Sequence, residues 1–214
     1  MRRFLLLAHR VPVDGAFTLN DLAGGAGRMD EVARAVSTAF TVSNDLRRDT
    51  EFTVLFHARS PPAARRIELH GARLRYLNPD ERSTAALLKN ALVRSATLDR
   101  DLEASPGLRV GPADPVRTIE GFAAHPGPLW LTEGGTPLRE WAPDTREFAA
   151  ILSDPSDPTA EESELLGRLG LPQVAVGPRG LRSSQVVDIV HNEFDWREAR
   201  SGPPTAPAAG GPTR

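Results

Sequence analysis

Apolar runs punctuate the chain, and between them the apolar positions fall three and four residues apart. Arg3–His9 carries a continuous apolar stretch and reads as a first strand. Glu51–Ala58 (EFTVLFHA), rich in β-branched and aromatic residues, reads as a second. Between them, glycines at 24, 25 and 27 form a loop ahead of a helix over Arg28 to Val42. That helix buries Met29, Val32, Ala33, Val36, Ala39 and Phe40 on one face. After it, SNDLRRD is a polar connection. RRIELHG gives a shorter strand, read as paired with LRYL. In LNPDERSTAALLKNALV, Asn78 is placed to cap a helix, Pro79 to open it and Glu81 to complete a capping box. Ala85, Leu88, Ala91 and Leu92 would face inward.

The second half continues the alternation. GLRVG is a strand, DPVRTIEGFAAH a short helix, and PLWLTEGGTPLREW a hairpin-like pair around Glu133–Thr136. EFAAILSD is a buried strand, and TAEESELLGRLG an acid-led helix ended by Gly170. QVAVGPRGLRSSQVVDIVHNEFDW then runs from strand through glycine turn to amphipathic stretch. Strands alternating with helices predict an α/β domain with a mainly parallel sheet. The Pro/Gly/Ala segment after Arg200 cannot bury a core. The expected organisation is therefore one domain over residues 1–198 and a disordered tail over 199–214.

Composition adds exclusions. Hydrophobic residues at 40% and charged residues at 25% are those of an ordinary globular protein. No apolar run approaches the roughly 18–20 residues of a membrane span. The opening MRRFLLLAHRVPVDG has the outline of a signal peptide, but Phe4–Ala8 is too short for its apolar core. A cytoplasmic protein is expected. The absence of cysteine excludes disulfides, thiolate nucleophiles and cysteine-ligated zinc. The five histidines are scattered without ligand spacing, so no metal is expected. Residues 1–100 hold 16 Lys and Arg against 11 Asp and Glu, and residues 101–214 hold 10 against 17. Every basic residue except Lys89 is arginine. That bias fits either ordinary solvated charge or a surface that grips RNA through guanidinium groups.

The glycine turns invite a phosphate, and the residue types refuse it. GPRGLRSS lacks the lysine of a Walker loop, and GGAGRMD lacks the third glycine of a dinucleotide fingerprint. A tight connection is the plain reading of Gly177 and Gly180. However, LWLTEGG, ILSDPSD and VAVGPRGL each end an apolar strand on a turn. In open α/β sheets ligands bind outside such strand ends, where backbone groups and apolar walls can wrap an adenosine.

The stretches DLAGGAGRMDEVARAVSTAF, SNDLRRD, LRYLNPDERSTAALLKNAL, TEGGTPLRE, ILSD and VGPRGLRSSQVVDIVHNEFD occur in one order up to Asp195. Together they resemble the SPOUT class of RNA methyltransferases, specifically the archaeal tRNA pseudouridine(54) N1-methyltransferase family and its bacterial relatives. The resemblance implies helices on both faces of the sheet, a C-terminal trefoil knot, a homodimer, and S-adenosyl-L-methionine as cofactor. It places Leu152, Ser153, Gly177, Leu181 and Val186 in the cofactor pocket, with the backbone of Arg179–Arg182 contributing. Two departures stand out. Cysteines common in the family near ARAV and near Val186 are absent here, and the family's usual histidine after LSD is Pro155.

The implied reaction is methylation of pseudouridine N1, most naturally in the tRNA T-loop. N1–H is a weak acid, so the enzyme supplies alignment, a place for the proton and a donor for developing negative charge. On that resemblance Arg28, Asp30, Asp45 and Arg48 are the substrate-side candidates, with Asp30 or Asp45 as base. The bland alternatives are a first-turn helix acid and a surface ion-pair cluster. Two other functions remain open at this level: a non-catalytic RNA-binding or ribosome-assembly protein, and the same chemistry on rRNA.

Overall fold

Both faces of the strand Arg2–Ala8 (β1) are apolar, which suits it to the middle of a sheet. Phe4, Leu6 and Ala8 face one side, Leu5 and Leu7 the other, and all five are fully buried. The computed structural model describes residues 1–58, 63–141 and 147–201. In it, β1 pairs in parallel with Thr50–Phe56 (β2) on one side and Phe148–Ser153 (β7) on the other. The remaining strands are Arg65–His70 (β3), Leu102–Ser105 (β4), Leu108–Pro112 (β5), Pro128–Pro137 (β6) and Gln173–Ala175 (β8). The eight-stranded sheet runs β4-β5-β3-β2-β1-β7-β6-β8.

The parallel expectation holds for β2-β1-β7-β6-β8 and stops at β3. β3, β5 and β4 join antiparallel, so the sheet is mixed. The chain between Phe56 and Arg65 is too short for a crossover helix, and β4 turns straight into β5. Helices cover both faces as expected. Met29–Phe40 (α1), Glu81–Ser95 (α2) and Ser183–Ser201 (α5) pack on the Phe4 side. Pro115–Ala123 (α3) and Ala160–Arg168 (α4) pack on the Leu5 side. The Phe4 ring meets Phe148 edge-on at 5.1 Å, and Phe148 meets Phe194 of α5 at 4.3 Å. Each such ring contributes about 1.5–3 kcal/mol by burial.

Several local expectations change. The cap of α2 is Asp80, whose carboxylate accepts from Ser83 N–H, not Asn78; Glu81 instead pairs with Arg34 of α1. A true capping box exists at Thr159 and Glu162, opening α4, and Gly170 beyond its end has φ +65°. LRYL is not a strand: Tyr76 has positive φ, and β3 takes β5 as its partner. PLWLTEGGTP is one irregular strand rather than a hairpin. Its first part pairs with β7, and both parts pair in parallel with β8 across a break between Leu131 and Thr136. β4 escaped the sequence reading because its four residues carry no buried alternation. α5 runs through Ser201, so residues 199–201 are helical; the rest of the expected tail, 202–214, lies outside the described residues. No described helix is long and apolar enough to cross a membrane.

α5 is tied to the start of β1. The Arg2 guanidinium, 3% exposed, donates to Asp195 at 2.6 Å and Glu198 at 3.0 Å. It also lies 3.2 Å from His191 Nδ1, while His191 Nε2 faces the Ala39 carbonyl at 3.1 Å. Arginine cannot accept, so Nδ1 accepts and Nε2–H donates: His191 is neutral. Burial first, then Arg47 and Arg2, lowers its pKa to about 3.

Candidate functional site

The carboxyl ends of β6 and β7 and the turn after β8 enclose a cavity of about 510 Å³. All five residues assigned to the cofactor from sequence, Leu152, Ser153, Gly177, Leu181 and Val186, line it. Leu152 and Ser153 end β7, Gly177 and Leu181 belong to the turn, and Val186 sits in the first turns of α5. Ser183 Oγ donates to the Ser153 carbonyl at 2.8 Å, clasping the start of α5 to the end of β7. At Gly177 an added Cβ would meet nothing within 4 Å, so its backbone is open to a ligand. Apolar walls, exposed peptide groups and an open glycine are what an adenosine-bearing cofactor requires.

The cavity's charges divide into paired and free. Asp154 accepts from the backbone N–H groups of His9 and Ser156, both at 2.9 Å, and faces His9 Nδ1 at 3.2 Å. Burial would raise its pKa; the His9 side chain, then those backbone donors, hold it below the usual carboxylate range. Glu133, Asp157, Arg179 and Arg182 also line the cavity, and their side chains form no ion pair among the described residues. Of these four side chains the sequence offers only Asp157 a cofactor role, beside the sulfonium or the amino group, with turn formation as the alternative. Their only signal there was their place in the three strand-end turns.

Behind Asp154 the fold assembles a group that spacing alone could not reveal. His9 follows β1, His57 follows β2, and Glu162 is in the first turn of α4. His9 Nε2 lies 2.9 Å from Glu162 Oε2, and the two imidazoles stack at 4.8 Å. His57 Nε2 is 2.7 Å from Glu162 Oε1 but off the line of a hydrogen bond, leaving both buried atoms without a directional partner. Burial would lower the His9 pKa; hydrogen bonds to Asp154 and Glu162 overcome it and raise the value to about 9. Glu162 is held far below its ordinary value by His57 and His9, against its burial.

The four substrate-side candidates fall into two pairs. Arg28, in the left-handed conformation at the head of α1, grips Asp30 with contacts of 2.9 and 3.1 Å. Arg34 also holds Asp30, and despite burial these arginines keep its carboxyl below the usual range. Gly27, just before, has φ +63°, and a Cβ there would lie 2.0 Å from the Arg10 carbonyl. This pair therefore sits at the sheet's carboxyl edge, as the cavity does. Asp45 and Arg48, 3.1 Å apart and exposed, follow the other end of α1. Arg48 donates to the carbonyls of Gly71 and Leu74. The Leu46 backbone N–H, then Arg48, lowers the Asp45 pKa. A 12-residue helix, about 18 Å long, separates the pairs. None of the four lines the cavity.

Sheet order, helices on both faces and a cavity at the parallel strand ends define an α/β domain with a ligand site at its strand ends. The chain belongs to the family described as "Putative SAM-dependent RNA methyltransferase", whose model matches residues 1–199. The tRNA (pseudouridine(54)-N(1))-methyltransferase of Methanosarcina mazei is 36% identical over 202 residues, covering 94% of each chain. That of Methanocella arvoryzae is 37% identical, covering 92% of this chain and all of its own. Among solved structures, Archaeoglobus fulgidus Nep1 bound to S-adenosylhomocysteine matches with a TM-score of 0.60. It covers 94% of this chain and 99% of its own at 14% identity, a likeness of fold.

Proposed function

We propose that this protein transfers the methyl group of S-adenosylmethionine to N1 of pseudouridine at position 54 of tRNA, acting as a cytoplasmic homodimer. The observation that carries this reading is the cavity. All five residues expected to hold the cofactor meet there, in a chain whose relatives are named for this reaction over more than nine-tenths of its length. The cofactor supplies an electrophilic methyl group carried on a sulfonium. Leu152, Leu181 and Val186 give the adenosine apolar walls, and the open Gly177 backbone leaves room beside it. The free carboxylates of Glu133 and Asp157 suit the cofactor's cationic end, and Arg179 and Arg182 suit its carboxylate or an RNA phosphate.

On the substrate side, Asp30 and Arg28 share the cavity's edge of the sheet. Asp30, kept ionised by two arginines, accepts the N1–H hydrogen bond and passes the proton to water as the ring is methylated. Arg28 draws the negative charge that develops on the uracil. Asp45 and Arg48 contact RNA away from their own protomer's cavity. The homodimer is supported by exposed apolar side chains, Trp196 on α5 and Val42 beyond α1. The knot is supported by α5 reaching back over the segment after β6, where Arg197 donates to the Leu138 carbonyl.

Calorimetry tests the reading directly. The wild type should bind S-adenosylmethionine in the micromolar range, and Gly177→Trp should weaken binding at least 100-fold by filling the cavity. Mass spectrometry of tRNA from a deletion strain should show unmethylated pseudouridine at position 54. A folded wild type that binds no cofactor would defeat the proposal.

A further inference from the structure

We propose that His9, His57 and Glu162 form a binding site for a divalent transition-metal ion, with zinc the best match. This was not foreseen from scattered histidines, and it stands independently of the methyltransferase reading. The ligand atoms, one from each residue, lie within 4.8 Å of one another. Two imidazoles and one carboxylate form a donor set suited to such ions, with further positions left to water. Each ligand comes from a separate, well-anchored element: the ends of the neighbouring strands β1 and β2, and the first turn of α4.

Three observations point to an ion rather than to protons alone. First, His57 Nε2 and Glu162 Oε1 are buried 2.7 Å apart, off the line of a hydrogen bond, and neither has another partner among the described residues. Buried polar atoms are rarely left so, and a metal at this point would satisfy both. Second, His9 presents Nε2 to the cluster while its Nδ1 faces Asp154, itself fixed by two backbone donors. A carboxylate behind a ligating histidine fixes the ring and its tautomer, the usual support of a metal-bound imidazole. Third, Asp154 and Glu162, 5% and 6% exposed, bring two negative charges into the interior. One divalent ion balances both carboxylates with both imidazoles neutral.

The contacts of 2.7 and 2.9 Å between imidazole nitrogens and Glu162 oxygens are shorter than the spacing of ligands around zinc. At bond lengths of about 2.0–2.1 Å, tetrahedral ligands stand roughly 3.3 Å apart. On binding, these short contacts open by a few tenths of an ångström, and the most widely spaced ligand atoms draw together around the ion. The ion would staple β1, β2 and α4 together and, through Asp154, brace one wall of the cofactor cavity.

Full-length protein stripped with a chelator should be titrated with zinc chloride by calorimetry and with cobalt(II) by visible absorption. One equivalent should bind with micromolar or tighter affinity, cobalt should give the absorption of a low-symmetry site, and zinc should raise Tm. His57→Ala and Glu162→Gln should each weaken binding at least tenfold, whereas His70→Ala, which alters a histidine paired with Glu51 elsewhere, should not. The circular dichroism spectrum and cooperative thermal transition of every variant, measured without metal, report folding. No stoichiometric uptake by the folded wild type, the result if the cluster holds only protons, would overturn the site. Uptake undiminished in both His57→Ala and Glu162→Gln would overturn it equally.

Discussion

Two histidines stand at opposite ends of β1 in opposite charge environments. At the carboxyl end His9 lies between Asp154 and Glu162, and its pKa rises to about 9. At the amino end His191 faces Arg2 and Arg47, and its pKa falls to about 3. Burial pushes both downward, so it is the charge of the neighbours that sets the outcome. The difference extends to the two edges of the sheet. At the amino edge, the salt bridges of Arg2 and Arg47 hold α5 in place. At the carboxyl edge, the cavity leaves the side chains of Glu133, Asp157, Arg179 and Arg182 without ion-pair partners among the described residues. One edge is built for stability, the other for binding.

The largest test of that division is Arg2→Met, which keeps the side chain's bulk and deletes its charge. Asp49, Glu198 and the His191 Nδ1 each lose a partner. Because the carboxylates are half-exposed, the expected loss is about 2–3 kcal/mol, below that of a fully buried pair. Urea unfolding should show it, while cofactor affinity stays within about twofold. A large loss of affinity would break the division between the edges.

The next effect is a pH dependence. Below the ordinary histidine pKa of about 6.5, the unfolded chain binds a proton at His191 that the native state refuses down to about 3. The native state therefore loses stability as pH falls through that window. Wild type should lose about 1.5–2 kcal/mol more than His191→Gln between pH 6.5 and 5, since other titrating groups cancel in the difference. Equal slopes would mean that His191 is protonated in the fold.

The smallest expected effect is at Asp45. Its exposed pairing with Arg48 is screened by solvent and contributes little. Asp45→Asn should leave stability and methylation rate nearly unchanged, while Asp30→Asn lowers the rate. A tenfold loss of activity in Asp45→Asn would bring the amino edge into the reaction, as a partner subunit's contribution could.

Much of this architecture is written in local pattern. β1, β2 and β7 announce themselves as apolar runs, α1 by its spacing, and α4 by its leading acids and trailing glycine. What local pattern misses depends on which strand lies next to which. PLWLTEGGTP has the composition of a hairpin, but β7 and β8 flank it in parallel and keep it from reversing. Asn78 and Asp80 are both competent caps; Asp80 is the one whose carboxylate meets Ser83 N–H. The placing of Leu152, Ser153, Gly177, Leu181 and Val186 as cofactor candidates rested on family resemblance, since apolar walls and peptide groups carry no distinctive letters. His9, His57 and Glu162 left no trace in the sequence because three separate elements must fold before they meet.

The central position of β1 also sets a timetable for synthesis. β2 follows closely, but the strand on the other side begins at Phe148, and the carboxylates that seal Arg2 belong to Asp195 and Glu198. At a ribosomal rate of about 5–20 residues per second, roughly 5–20 s separate the emergence of β2 from that of β7. Throughout that interval a strand of phenylalanine and leucines offers an unpaired backbone edge to any other nascent chain. The newborn protein is thus most exposed to aggregation before β7 emerges, and α5, made later still, closes over β1.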